Sequence, residues 1–338
     1  MKYTRDITLD IIRTCAIFCV IGVHSFSTPR EYCFPQSILR TLSVLGVPLF
    51  LLLTGFLTSN KTLEDYYKKN KWKTIIPNYI AYIILGSICF LTPCVIFREN
   101  FNVFTWIQSL LNFTCTPYGW YMEMWIGLFF LTPFINIILH NLTKNQELGF
   151  ILTLLFLSQL ASTINRNGNI FFPSYWESIW PLTFFVTGHY LKIYPIKIKT
   201  TISIALIILG CLIEYVFNWL HNTTDNYLYI LGGHNMIIYY LLGIILFLLL
   251  KKIQNINNHY IKRLIFKCAE LSFFMYLISA TFDRNLYRII EPYFFENQLQ
   301  FLPYRIAIYI TTIILSFLTS WAYSIINNKI KKSIICNK

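Results

Sequence analysis

The chain has 338 residues, 56% hydrophobic and 13% charged, with a mean hydropathy of +0.53 and a formal net charge of +13. Soluble domains carry about 25% charged residues, so a chain this apolar cannot hide its surface within one water-exposed globule. Apolar runs of about 20 residues between short polar links predict an all-α, polytopic membrane protein, and unbroken runs such as LLGIILFLLL (241–250) exclude the alternation of a β-barrel.

In chain order, the apolar pattern predicts ten transmembrane helices: 6–28, 38–58, 75–97, 119–139, 148–165, 175–193, 200–220, 233–250, 264–281 and 301–327. The first contains LDIIRTCAIFCVIGVH (9–24), whose Asp10 and Arg13 stand where a cleaved leader is uncharged. No small-x-small cleavage site follows, so this helix is expected to be retained. The stretch around Trp106 to Leu111 is expected along the interface, and Trp106, Trp120, Trp176 and Trp219 fall near span ends, as belt aromatics do. Nine cysteines show no CxxC pair or ligand spacing, so no metal site is expected. Cys15 and Cys19 read as small core residues, and a disulfide between Cys33 and Cys115, both in predicted outer loops, is left open.

Lysine and arginine set the orientation. With the N-terminus inside, twenty fall in cytoplasmic segments and seven outside (Arg30, Arg40, Arg98, Arg166, Arg284, Arg288 and Arg305), with Arg13 inside a span. That imbalance predicts both termini in the cytoplasm. The basicity is thus topology and not a nucleic-acid footprint. The chain reads as one domain, 1–338, with no appended soluble domain.

Within the first span, Arg13 and His24 are eleven residues apart, which is three helical turns and roughly 20°. They share a face, separated by about 16 Å along the axis. Ionisable residues inside a bilayer normally face a cavity or a partner and mark function. For Asp10, neutralisation of Arg13 at i,i+3 is the alternative reading. For His24 it is a structural place near the interface.

The LD-x-x-R start followed by R-x10-H resembles the bacterial integral-membrane acyltransferases of the acyltransferase-three family. Further motifs occur in the family's order: GVPLFLLLTGFLTS (46–59), the basic run KKNKWKTIIPNYI (68–80), PYGWYMEMWIGLFFLTPFI (117–135) and ELSFFMYLISATFD (270–283). Two positions depart: Thr54 stands where SGFL usually has serine, and Ser279 where many members have a histidine.

The resemblance implies acetyl-CoA, or another acyl-CoA, as donor and a hydroxyl of a surface polysaccharide or lipid-linked glycan as acceptor. It also implies a place in the bacterial cytoplasmic membrane, among its lipids. Lys68, Lys69, Lys71 and Lys73 beside Trp72 would supply cations and an aromatic surface to the nucleotide end, although any cytoplasmic loop is lysine-rich. Arg13 would hold the pantetheine or phosphate end, or polarise the thioester carbonyl. His24, with an ordinary pKa of about 6.5, would be the general base. Glu123, at similar depth, would orient His24 or bind sugar, the alternative being a structural carboxylate. Trp120 and Tyr121 would stack on a sugar or serve as belt aromatics. Glu177, Asp283, His234 and Arg284 are weaker acceptor-site candidates, and His189 is expected to be structural. No serine or cysteine nucleophile stands in the motifs, which favours direct transfer over an acyl-enzyme. The competing class is an ion-coupled transporter or glycolipid flippase, for which no inverted repeat is visible.

Overall fold

The computed structural model describes residues 5–26, 34–64, 72–165, 170–224, 233–290 and 298–336. Lys68, Lys69, Lys71 and Cys33 lie outside them, as do the side chains of Trp72 and Lys73. The order is α1 (Ile7–Ser25), α2 (Phe34–Val44), α3 (Gly46–Thr58), α4 (Trp72–Ile96), α5 (Val103–Leu111), α6 (Trp120–His140) and α7 (Lys144–Leu154). A π-turn (Leu155–Leu160) leads into α8 (Ala161–Ile164). Then come α9 (Trp180–Ile193), α10 (Thr200–Thr224), α11 (Ile237–Leu250), α12 (His259–Ile290) and α13 (Gln298–Cys336).

Among the described residues, eight stretches are long and apolar enough to cross a bilayer: α1, α2 with α3, α4, α6, α7 through α8, α10, α12 and α13. The chain is therefore an all-α polytopic membrane protein. The expected ten are reduced to eight of full length, because α9 and α11 have 14 residues each. At 1.5 Å per residue each spans about 21 Å, short of the roughly 30 Å hydrocarbon core. The sixth predicted span loses its start to a 3₁₀ turn (Glu177–Ile179) ahead of Pro181. The eighth begins only after a turn that holds His234. Conversely, α12 runs to Ile290, nine residues past the apolar segment, so Asp283 and Arg284 are helical rather than in a loop. The nine-residue α5, in the segment expected along the interface, buries none of its residues.

The chain divides into two compact units: Met1–Lys68 with Leu128–Ile265, and Lys69–Gly127 with Phe266–Lys338. Unit 1 is built around α1, α3 and α9. Lipid tails are as apolar as leucine, so helices in a bilayer are held by close backbone approach rather than by expulsion of water. Two glycines on opposing helices provide that approach. A Cβ on Gly55 would lie 1.9 Å from Phe185 O, and one on Gly188 would lie 2.1 Å from Leu52 O, so α3 and α9 run antiparallel in backbone contact. Gly55 is the glycine of the TGFLTS motif, which gives that motif a packing reason. Asp6 starts α1 by accepting from Thr8 N at 2.9 Å, and the Thr8 and Thr14 hydroxyls tie α1 to Ile253 O and Ile265 O.

Unit 2 holds α4, α5, the start of α6, most of α12 and α13. Its joint is aromatic: Tyr82 packs on Phe113 (5.2 Å) and donates to Ser109 O (3.2 Å), while Trp106 Nε1 donates to Ser87 (3.1 Å).

Candidate active site

The stripe on α1 begins with Asp10, which is 5% exposed. Its main partner is Arg5, whose Nε and Nη2 reach the two carboxylate oxygens at 2.5 and 3.2 Å. Arg13 Nη1 is farther, at 3.9 Å. Asp10 is thus clamped chiefly from outside the helix, while the Arg13 side chain stays 35% exposed and able to meet a ligand. The pattern did not reveal Arg5, because it precedes the N-cap and has no place in the helical period. His24 is half-buried in the last turn of α1.

The His24 end of unit 1 is polar to a degree the sequence reading missed. Val23, next to His24, packs on the cluster of Val44, Leu45, Met236, Tyr239 and Leu242. Behind it lies Glu214, fully buried. Its Oε2 accepts from Ser37 (2.9 Å) and Thr41 (2.8 Å), its Oε1 accepts from Tyr239 (3.2 Å), and Arg40 stands at 3.8 Å. Four partners on two helices, α2 and α11, surround one buried carboxylate, as burial in a bilayer demands. Glu177 lies at the start of α9 and accepts from Ser162 (2.6 Å) and Asn235 (3.3 Å). His234 stacks near Trp180, with ring centroids 4.7 Å apart. Gln159, fully buried in the π-turn, makes no side-chain hydrogen bond among the described residues. Two of these signals were readable as charged residues inside apolar runs, Glu214 above all.

At the opposite end of unit 1, His189 and Glu147 form a buried pair, Nδ1 to Oε1 at 2.8 Å, with exposures of 2% and 1%. His140 lies beside it (ring centroids 5.7 Å) and contacts Ser59 O at 2.6 Å. Asn136 Nδ2 donates to Thr58 O and Lys61 O. These residues tie the ends of α3, α6, α7 and α9 together.

In unit 2, Asp283 is 2% exposed and accepts from the Tyr118 hydroxyl and, at 2.6 Å, from Arg284 N. Burial pushes the Tyr118 phenol well above its ordinary range, so it stays a donor. Tyr121 and Tyr276 meet edge-on at 5.3 Å. Trp120 and Glu123 are exposed on the first turn of α6. Glu123 accepts no hydrogen bond among the described residues. Between α4, α12 and α13 runs an apolar groove of about 810 Å³, lined among others by Ile80, Ile84, Ile88, Phe282 and Tyr323. It has no charged side chain to hold a nucleotide.

Arg13, His24 and Glu177 thus belong to unit 1, and Trp120, Tyr121, Glu123 and Asp283 to unit 2. The thiol at Cys115 is free and buried, and that burial pushes it up to about 11, too high for a ready nucleophile. Ser279 donates to Tyr276 O at 2.9 Å and Thr54 to Phe50 O at 2.7 Å, so both departures from the family pattern are tied to helix backbone.

No curated protein and no solved structure matches the chain. A family model described as an acyltransferase domain, of the acyltransferase-three type, matches residues 6–321, which takes in α1 through α12 and most of α13. An all-α membrane architecture, a first span with an arginine and a histidine on one stripe, and this near-complete match lead to one statement: the chain belongs to the acyltransferase-three family and is a membrane acyltransferase.

Proposed function

We propose that the protein moves an acyl group, acetyl foremost, from acyl-CoA on the cytoplasmic side to a hydroxyl of a cell-surface polysaccharide or its lipid-linked precursor. The bacterial plasma membrane is its place, with the N-terminus inside, a direction supported by the twenty-to-seven split of basic residues. The observation that carries the proposal is the single stripe of α1, bearing Arg13 and His24 about 16 Å apart, in a chain that belongs to an acyltransferase family.

In this reading Asp10 is neutralised by Arg5 and Arg13, and the half-exposed Arg13 guanidinium faces the donor. There it binds a phosphate or holds the pantetheine end of the donor in register. At the other end of α1, the neutral imidazole of His24 accepts the proton of the attacking hydroxyl. The hydroxyl oxygen forms the new C–O bond as the C–S bond breaks. The thiolate of CoA leaves, and the proton passes from His24 to solvent or to the thiolate. In unit 1, Glu177 with Ser162 and Asn235 offers a carboxylate and an amide of the kind that hold sugars; in unit 2, the exposed Glu123 and Trp120 and the partly buried Tyr121 offer a carboxylate and rings of that kind. Asp283 is already engaged by Tyr118 and Arg284, which supports a positioning role for it.

The test is NMR of surface glycan from cells expressing the wild type, no protein, or His24→Ala at matched membrane level. The expected result is an O-acetyl signal in the first sample alone. An O-acetyl signal undiminished in His24→Ala removes the histidine from the reaction. Altered glycan export with unchanged acetylation would instead support transport.

A further inference from the structure

At the end of unit 1 where α1 begins, two lysines converge on one ring. Lys192, in the last turn of α9, places its Nζ 4.6 Å from the Phe56 centroid, and Lys251, directly after α11, places its Nζ 4.3 Å from it. The two ammoniums are therefore at most about 9 Å apart. Phe56 is 7% exposed and packs edge-on against Phe247 at 5.7 Å, so the ring is fixed. Neither ammonium has a carboxylate in ion-pair range among the described residues. The carboxylate that acts on Lys251 from a distance is Asp6, already committed to capping α1. Burial, and then the charge of Lys192, hold the Lys251 ammonium below the ordinary lysine range, with Asp6 working the other way.

A cation over a ring gains about 0.5–1 kcal/mol at an exposed site. That accounts for one ammonium on Phe56, but two like charges around a single ring also repel each other. Lys252 offers a contrast, since its ammonium is spent on Ile198 O and Thr200 Oγ1. Among the described residues the pair at Phe56 is charge left uncompensated, and an anion with several oxygens would complete it.

Resting on the acyl-CoA reading above, we propose that Lys192 and Lys251 form the clamp for the donor's diphosphate, with Phe56 as its floor. Both lysines act as point charges toward phosphoryl oxygens. The pair lies at the end of unit 1 that the basic-residue count assigns to the cytoplasm, where the nucleotide half of the donor arrives. This moves the main phosphate contact away from the basic run at 68–73.

The experiment uses full-length protein in detergent, with inorganic pyrophosphate and CoA as separate probes titrated against wild type, K192Q, K251Q, K192Q/K251Q, K192R/K251R and the exposed control K197Q. Thermal melting checks that each variant is folded, and acetyl transfer is followed in parallel. Each single glutamine variant should bind both probes roughly tenfold more weakly, and the double variant more weakly still. KM for acetyl-CoA should rise in step while kcat stays within about twofold. K192R/K251R should retain binding, and K197Q should match wild type. Wild-type affinity for both probes in folded K192Q and K251Q overturns the clamp and leaves the acyltransferase reading standing. A wild type that holds pyrophosphate through these lysines, yet neither binds CoA nor transfers an acyl group, overturns the donor reading and the clamp's assignment with it.

Discussion

The two units bury polar groups in different ways. Unit 1 sets each of three buried acids beside a basic side chain: Asp10 with Arg5, Glu147 with His189, and Glu214 with Arg40. Among its described residues, unit 2 buries one carboxylate, Asp283, capped by a tyrosine and a backbone amide, and keeps its Arg288–Glu99 pair half-exposed. Helices in contact at Gly55 and Gly188 can hold paired charges in fixed geometry. Helices joined by stacked rings hold a single acid with a neutral donor. Unit 1 therefore holds its buried acids beside basic partners, and unit 2 presents rings, one hydrogen-bonded acid and an apolar groove.

This contrast can be broken most sharply at His24. His24→Ala should lower acyl transfer by about 10²–10⁴-fold, the usual worth of a general base, with membrane level and melting temperature unchanged; transfer is read from the glycan acetyl signal. A loss of that size from a unit 2 residue such as Glu123→Gln, with His24→Ala active, would put the base in the wrong unit.

Next come the supports of unit 1. Gly188→Leu must push its side chain into Leu52 O, where even a Cβ has only 2.1 Å. The expected cost is about 3 kcal/mol or more, seen as a lowered melting temperature or loss of folded protein. Gly149→Ala, with nothing within 4 Å of its added Cβ, should be neutral or slightly stabilising. His189→Leu leaves Glu147 buried without its partner and should cost about 3 kcal/mol. By comparison, Tyr118→Phe in unit 2 removes one hydrogen bond to Asp283 and should cost about 1–2 kcal/mol. If Tyr118→Phe proves the more damaging of the two, the ranking of the units is reversed.

Among the partners of the buried acids, the smallest effect is expected at Arg5→Ala. The Arg5 side chain is 45% exposed, so solvent screens the pair and the loss should stay near or below 1 kcal/mol. Asp10 then depends on Arg13, so a raised KM for acyl-CoA with little change in stability is the expected signature. Unchanged kinetics would show that the Asp10 network does not set Arg13.

Much of the candidate site was legible because intramembrane charge is rare and therefore conspicuous. Arg13, His24 and Asp10 stand out in an apolar run, and the 3.6-residue period puts the first two on one face. Glu214 carried the same signal and went unread. Tyr118 had no such signal, since a tyrosine near a span end looks like any belt aromatic until Asp283 is found beside it. The Lys192–Lys251 pair could not be read, because lysines 59 positions apart look like two ordinary loop charges. The sixth and eighth predicted spans gave the short helices α9 and α11, as hydropathy sums apolar content without registering the turns at Glu177–Ile179 and around His234.

Composition and periodicity by themselves determined a helical membrane chain, the place of most helices and the shared face of Arg13 and His24, because bilayer insertion and helical geometry depend on local sequence alone. Only the tertiary structure decided which charges are partnered: Arg5 for Asp10, Ser37, Thr41, Tyr239 and Arg40 for Glu214, His189 for Glu147, and Phe56 beneath two lysines. Those pairings join residues up to 195 positions apart. The strength of an ionic contact in a low-dielectric interior depends on ångströms that helix packing sets and no local pattern records.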